Sequence, residues 1–508
     1  MTLAALRLLA CALACVAACA ARADWTLVEE RFHALSLGGM PCGRSVDRVE
    51  RDGARVRTVS EIEMRFRRGG QRTDIRLSTE FVEDDRGRPL EAKVVQNGAV
   101  ASSYRFATAA DGAFAVVVAA GGSERRESIA DDGWLPPEAA RAFVAARVKA
   151  EAKAIRLRAI SIQSGLVAPT LDLAFIADGE FALPDGRRIA TRRYSVTNSL
   201  VPVPGSETYD REGRLVESAT SLSGLGELVM RLSTREAAAD SLARADFDLL
   251  RGTFVATKSI AGFERLASIA VAIRATDGSL EDLPSIGAQR FERVDAARGI
   301  VRVEVARGSE PEAGDATDAR WTRETAVVDH GSAAVRELLA RAPRTEGVAA
   351  FERAEGLRRL VARHLSRKDF ASAFASAGEA ARSRGGDCTE HAVLLAALLR
   401  ADGVPARVVS GLVYVPAIAG SGSGWGWHLW TQALVAAPGD ASPRWHDFDA
   451  TVSGGKRGFH AAHVAVAASD LSGGASDPAF LQALGLIGGI EIERIESKQA
   501  GENEESRR

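Results

Sequence analysis

The sequence predicts a multidomain chain, with antiparallel all-β regions in its N-terminal part and an α+β domain after them. Three observations carry this. Period-two alternation punctuated by turn dipeptides runs from Trp25 to about Thr234. The stretch from Gly308 to Arg320, rich in glycine, proline and acids, reads as a linker. Beyond it four helical patterns come first and strands follow, the order of an α+β domain. The 508 residues are 46% hydrophobic and 26% charged, enough for several globular domains. A net charge of −2 with scattered Lys and Arg argues against a nucleic-acid partner, which would call for a basic stripe.

Residues 1–23 read as an export signal. Arg7 precedes the apolar run Leu8 to Ala20, and Ala21-Arg22-Ala23 fits an A-x-A cleavage site before Asp24. The run is shorter than the roughly 20 apolar residues of a membrane span. Val16-Ala17-Ala18-Cys19 also resembles a bacterial lipobox, which would put a lipid anchor on Cys19. Few residues separate Cys19 from the first strand pattern at Trp25, so a soluble periplasmic or extracellular protein is the expectation. An envelope lipoprotein is the alternative. No later segment reads as transmembrane.

The N-terminal β-rich domain is expected over 24–235. Alternation is plain in Glu61-Ile62-Glu63-Met64-Arg65-Phe66, and Asp52-Gly53, Asp111-Gly112 and Asp185-Gly186 mark turns. Two stretches look alike, Glu83 to Arg88 and Thr208 to Arg214. Both read as polar hairpin tips, from an internal repeat or from two similar hairpins of one large sheet; the second is favoured. A helical stretch from Pro136 to about Ala154 interrupts the strands. A smaller β domain is expected over 250–308, with strands at Ser268 to Ile273 and Ile300 to Val305.

The α+β domain is expected over 322–497, and 498–508 as a disordered polar tail. Its helices are Ala333 to Ala342, Val348 to Ser366, Ala371 to Arg384, and a fourth from Cys388 that Gly403 and Pro405 stop. Strands follow at Ala406 to Val415, His428 to Ala436, Arg444 to Thr451, His463 to Ala467 and Ile490 to Ile495.

Chemistry concentrates at Cys388. The glycine turn Gly385-Gly386 puts this thiol at a helix N-terminus, where unpaired N–H groups and the helix dipole favour a thiolate. His428 could accept the thiol proton and a carboxylate could orient the imidazole, the arrangement of a thiol triad. Along the strand from His428, residues 428, 430, 432 and 434 share a face; in the next, Trp445, Asp447 and Asp449 do. If the two strands are antiparallel neighbours, imidazole and carboxylate can meet. Alternation does not choose between Asp447 and Asp449. Of the five cysteines, three lie in the signal; Cys42, between Pro41 and Gly43, reads as a buried filler in a turn.

Four blocks in order then resemble the transglutaminase-like cysteine-enzyme superfamily: Gly386-Asp387-Cys388-Thr389-Glu390-His391-Ala392, Leu399 to Arg407, Trp427-His428-Leu429-Trp430, and Trp445 to Thr451. The resemblance spans about Arg323 to Ile495. It implies a papain-like Cys-His-Asp triad of Cys388, His428 and Asp449, because the family's Trp-x-x-x-Asp-Pro-Thr is filled by Asp449-Ala450-Thr451 with Ala for Pro. By the same resemblance the protein would be an exported acyl-transfer enzyme acting on peptide or isopeptide bonds through a thioester. A protease-like hydrolase is expected. A non-catalytic envelope binding or scaffold protein is one alternative, and a cross-linking transglutaminase another. The partner is then a protein or peptide substrate. No cofactor is expected, and no metal, since no acidic loop has calcium-hand spacing and Cys388-x-x-His391 lacks a second half-site. His391 is expected to pack or hydrogen-bond, and His446 to lie on the other face of its strand. Trp425, Trp427 and Trp430 would be core or cleft wall, with Trp427 a candidate oxyanion donor beside the Cys388 N–H. Gly420 to Gly424 would form a flexible cleft rim, not a phosphate loop.

Overall fold

The computed structural model describes residues 25–499 except 69–70, 97–101, 111, 121–122, 201–204, 223–224, 249–253, 277, 343–346, 368–374, 419–421, 453–457, 474–476, 478–482, 484–485 and 487–488. The signal reading of 1–23, with Cys19, and the tail beyond Gln499 lie outside the described residues.

The alternating N-terminal sequence builds one fifteen-stranded sheet from β1 (Thr26–Leu37) to β15 (Gly226–Ser233). β1 lies mid-sheet, antiparallel to both β2 (Met40–Asp52) and β15. The chain meanders outward to one edge at β8 (Ser123–Ile129), then restarts at the opposite edge with β9 (Trp134–Leu135) beside β10 (Ala154–Ala159). The short connection between Ile129 and Trp134 spans less than about 20 Å even fully extended, so the sheet must coil until its edges adjoin. Side chains close the seam: the Trp134 ring lies 5.3 Å from Phe114 and 6.3 Å from Phe106. Cys42 sits within β2, in a strand and not the expected turn; it is fully buried, and burial pushes its thiol up to about 12.

The two similar stretches are hairpin tips of this one sheet. They join β4 (Gln71–Asp84) to β5 (Pro89–Gln96), and β13 (Gly205–Asp210) to β14 (Leu215–Leu222). In each, an aspartate (Asp84 or Asp210) accepts two backbone N–H groups of its own turn. Both tips press on helix α1 (Pro137–Lys149). A Cβ at Gly87 would lie 2.9 Å from the Ala139 side chain, and one at Gly213 only 2.4 Å from the Ala145 backbone. The likeness therefore reflects one task done twice, seating a turn against a helix.

Helix α2 (Arg235–Ala243) packs on β1 and β2, after which β16 (Phe254–Ala256) already belongs to the C-terminal region. There, α3 (Ala333–Ala340), α4 (Ala350–His364), α5 (Ala377–Ser383) and α6 (Cys388–Ala401) precede β20 (Ala406–Ile418), β21 (Gly422–Val435), β22 (Arg444–Phe448) and β23 (His463–Ser469). Four strands run β16-β21-β20-β23, with β22 on β21. Cys388 to Arg400 are all buried, and an apolar helix of that kind is stable only inside a core. Leu394, Leu395 and Leu398 pack there with Leu429, Ala433 and Phe448.

The sheet of β17 (Leu266–Ala275), β18 (Gln289–Arg293) and β19 (Arg298–Glu304) takes its fourth strand from far along the chain: β24 (Ile490–Gln499) pairs with β17. Ile490 and Ile492 join Val271, Ile273, Trp425 and Trp430 in a second core. Ile492→Ala should cost about 2–5 kcal/mol through lost burial and a residual cavity, read as a lower urea midpoint at unchanged slope.

Candidate active site

Local sequence fixes where α6 starts. Gly386 has φ of +153°, and a Cβ there would fall 2.5 Å from that of Glu390. Asp387 accepts the Thr389 N–H at 2.8 Å while Glu390 accepts the Asp387 N–H at 2.9 Å, a reciprocal capping box. The second Glu390 oxygen takes the Ala375 N–H at 3.1 Å. Burial, with the Asp387 charge beside it, raises the Glu390 carboxyl well above its usual range. Cys388 is thereby held in the first turn, 7% exposed. His391 is spent on that same turn, its Nδ1 2.6 Å from the Asp387 carbonyl.

β21 and β22 are antiparallel neighbours, Thr431 opposite Phe448, so Asp449 just past β22 falls level with Trp430 and within diagonal reach of His428. His428 Nε2 lies 2.8 Å from Asp449 Oδ2, and the ring also hydrogen-bonds Cys388. With Nε2 on the carboxylate, Nδ1 is the nitrogen left for the thiol. Burial opposes charge on His428. The Asp449 charge and hydrogen bond, then the bond and charge of Cys388, outweigh it and raise the imidazole to about 10. Burial likewise works against an ionised Asp449, but His428 and His463 hold it well below the usual carboxylate range.

Asp449 has further partners that the sequence reading gave no role. His463 Nε2 lies 3.1 Å from the same Oδ2, while Oδ1 accepts the Thr451 N–H at 2.8 Å and its hydroxyl at 2.6 Å. Four donors thus fill about the four acceptor positions a carboxylate offers. For Thr451 the signal was present, as the last residue of the Asp-x-Thr block. For His463 there was only a histidine opening a strand. The donor atoms of His428, Asp449 and His463 lie within 4.8 Å of one another, a spacing a cation could use. In the structure both nitrogens face the same carboxylate oxygen, Oδ2, at hydrogen-bond distance.

Asp447 is engaged elsewhere. It accepts from Trp430 Nε1 and Gln432 Nε2, each at 2.7 Å, and from the Ala288 N–H at 2.7 Å, tying β22 to the β18–β19 sheet. His446 pairs with Asp440 at 2.8 Å. Trp430 stacks at 6.1 Å on His428, Trp425 is core, and Trp427 donates to Ser410 Oγ at 3.1 Å. Gly422 and Gly424 are not a loose rim but the start of β21, Gly422 paired with Ile418 of β20 and Gly424 with Ala256 of β16; a Cβ at Gly424 would sit 2.4 Å from the Val255 carbonyl. Residues 419–421 lie outside the described residues.

Residues 340–450, which contain Cys388, His428 and Asp449, match the family model of the transglutaminase-like superfamily. The C-terminal region is transglutaminase-like. Three solved structures are similar to parts of the chain. A beta-barrel-like protein of a domain of unknown function from Brucella abortus has TM-score 0.31 and 12% identity, over 40% of this chain and 93% of that one. A candidate cysteine protease from Cytophaga hutchinsonii has TM-score 0.25 and 14% identity, over 46% and 87%. The periplasmic domain of TgpA from Pseudomonas aeruginosa, bound to ethylmercury, has TM-score 0.25 and 16% identity, over 39% and 88%. The comparison with curated proteins returns no match. Among the described residues of the transglutaminase-like region and the rest of the chain, no helix is long and apolar enough to cross a membrane.

The buried His428–Asp449 pair makes stability depend on pH. Asp449 is depressed below 3.8, so its contribution is present above that value and is lost as pH falls towards the folded value. His428 is raised from 6.5 to about 10, so its contribution is full below 6.5 and is lost as pH rises through about 10. Asp449→Asn should therefore destabilise most between pH 3.8 and 6.5, by about 3–5 kcal/mol. Urea unfolding from pH 3 to 10 should show that difference shrinking on both sides.

Proposed function

We propose that the protein is an exported cysteine hydrolase of peptide or isopeptide bonds, with Cys388 as nucleophile, His428 as acid and base and Asp449 as orienter. The observation that carries this reading is one imidazole hydrogen-bonded on one side to Asp449 at 2.8 Å and on the other to a thiol at a helix N-terminus. That contact makes thiolate and imidazolium the resting pair.

The Cys388 thiolate attacks the amide carbonyl carbon, and the π pair moves onto oxygen. As the adduct collapses the C–N bond breaks, and His428 gives its proton to the departing nitrogen, leaving a thioester. Sulfur bonded to carbon has lost its negative charge, so one cause of the raised His428 pKa is gone when that proton must leave. Water then attacks, its proton passes to His428, and the C–S bond breaks to release the acid and regenerate the thiolate. The Cys388 N–H serves as one oxyanion donor; Trp427 Nε1, now on Ser410, is the candidate second. The envelope location rests on the signal-like residues 1–23, and the substrate class on the acyl chemistry of the triad.

Wild-type protein should be alkylated at Cys388 by iodoacetamide at pH 6, where an ordinary thiol is about 99% protonated and slow. Cys388→Ala should lower cleavage of a responsive library peptide at least about a thousandfold with thermal stability nearly retained. Full turnover by that variant would exclude the mechanism.

A further inference from the structure

Asp449 serves two imidazoles, and the triad accounts for only one of them. The second, His463, is 1% exposed and fixed at both ring nitrogens. Its Nδ1 lies 2.8 Å from the His460 carbonyl and its Nε2 lies 3.1 Å from Asp449 Oδ2. A carbonyl can only accept, and so can an ionised carboxylate. A neutral imidazole has one N–H and satisfies one of these contacts; an imidazolium satisfies both.

From this geometry we infer that His463 is a positioning residue that donates from both ring nitrogens, a fourth member of the site whose imidazolium fixes and half-neutralises Asp449. The inference rests on the triad reading proposed above. The surroundings suit a cation. Phe459 lies 4.4 Å from the ring and Trp430 5.2 Å away at 71°, so two π systems border the charge. His460, 4.5 Å away, does not compete for protons: its Nδ1 accepts the Ala462 N–H at 3.2 Å, and burial lowers it to about 3. Among the described residues the other charged groups in contact with this cluster are His428, with Cys388 beyond it, and Arg358, whose Nη1 lies 3.4 Å from the Asp449 carbonyl and which pairs with Glu355.

The arrangement sets a charge balance. Thiolate, His428 imidazolium, Asp449 carboxylate and His463 imidazolium sum to zero in a buried volume, where an uncompensated charge would be costly. A lone Asp449 would bind the His428 proton more tightly than catalysis can use. The second cation weakens that hold, so the proton can still pass to a departing nitrogen, and it favours the thiolate. Removing a positive charge raises the pKa of every neighbouring group, which gives the test its sign.

Two measurements decide it. In protein with 15N-labelled histidine, the His463 ring should show two protonated nitrogens at neutral pH. A neutral single-tautomer ring overturns the inference while leaving the triad reading intact, and so does stoichiometric metal bound at these rings in the purified protein. His463→Gln keeps a neutral donor towards Asp449 and removes the charge. The acid limb of Cys388 alkylation should then move up by roughly half to one pH unit, with little change in plateau rate. His463→Phe, which also removes the donor, should show that shift together with a lower plateau. A variant that only perturbs packing would change the melting temperature and leave the limb in place; that result with His463→Gln overturns the inference. Wild-type Cys388 that resists alkylation below pH 7 overturns both the inference and the triad reading.

Discussion

The carboxylate of Asp449 is the constraint around which the C-terminal region is organised. It is 1% exposed and accepts from His428, His463 and twice from Thr451. A buried charge is tolerated only when its lone pairs are met, and those donors come from three different segments of chain. β21 supplies His428, β23 supplies His463, and the turn after β22 supplies the carboxylate with its own Thr451. Their convergence fixes how far β22 and β23 may slide relative to the β20–β21 pair. The site is therefore not laid on a finished scaffold; its polar contacts are part of what sets the register of the sheet.

Helix α6 links that site to the rest of the molecule. Its first turn holds Cys388, and near its last turn the buried Arg400 donates to the carbonyls of Arg323, Ala406 and Asp470. Arg323 in turn reaches Glu127 of β8 and Asp470, and Gln96 of β5 bonds the Gly473 carbonyl. The coiled N-terminal sheet thus meets the transglutaminase-like region through the segments that anchor the far end of the cysteine helix. Burial lowers the Arg400 guanidinium to about 10, a departure accepted where three carbonyls fix a junction.

What could be read in the sequence was what local patterns encode. The alternation of β3 (Arg55–Arg68) follows from Glu61 to Phe66, the start of α6 follows from Asp387 and Glu390, and its end follows from Gly403 and Pro405. Period two put His428 and a carboxylate on faces that could meet if their strands were antiparallel neighbours, and β21 and β22 are. Features set by distant contacts left little local trace. Pairing of β24 with β17 joins segments more than two hundred residues apart, and Gly424 reads as loop until β16 is known to lie against it. Asp447 looks equivalent to Asp449 by alternation; the Asp-x-Thr block of the resemblance favours Asp449, and what Asp447 does instead lies in tertiary partners such as Trp430 and Ala288. His463 escaped because a single histidine opening a strand is an ordinary sight, and its meaning lies wholly in the carboxylate opposite.

The return of β24 has a consequence for biogenesis. β17, β18 and β19 leave the ribosome nearly two hundred residues before the strand that completes their sheet. Until that strand arrives, β17 presents an open hydrogen-bonding edge and an apolar face to other chains. The core beneath Trp425 and Trp430 is sealed only once β24 has emerged, so the packing behind the His428 strand is the last part of this region to close.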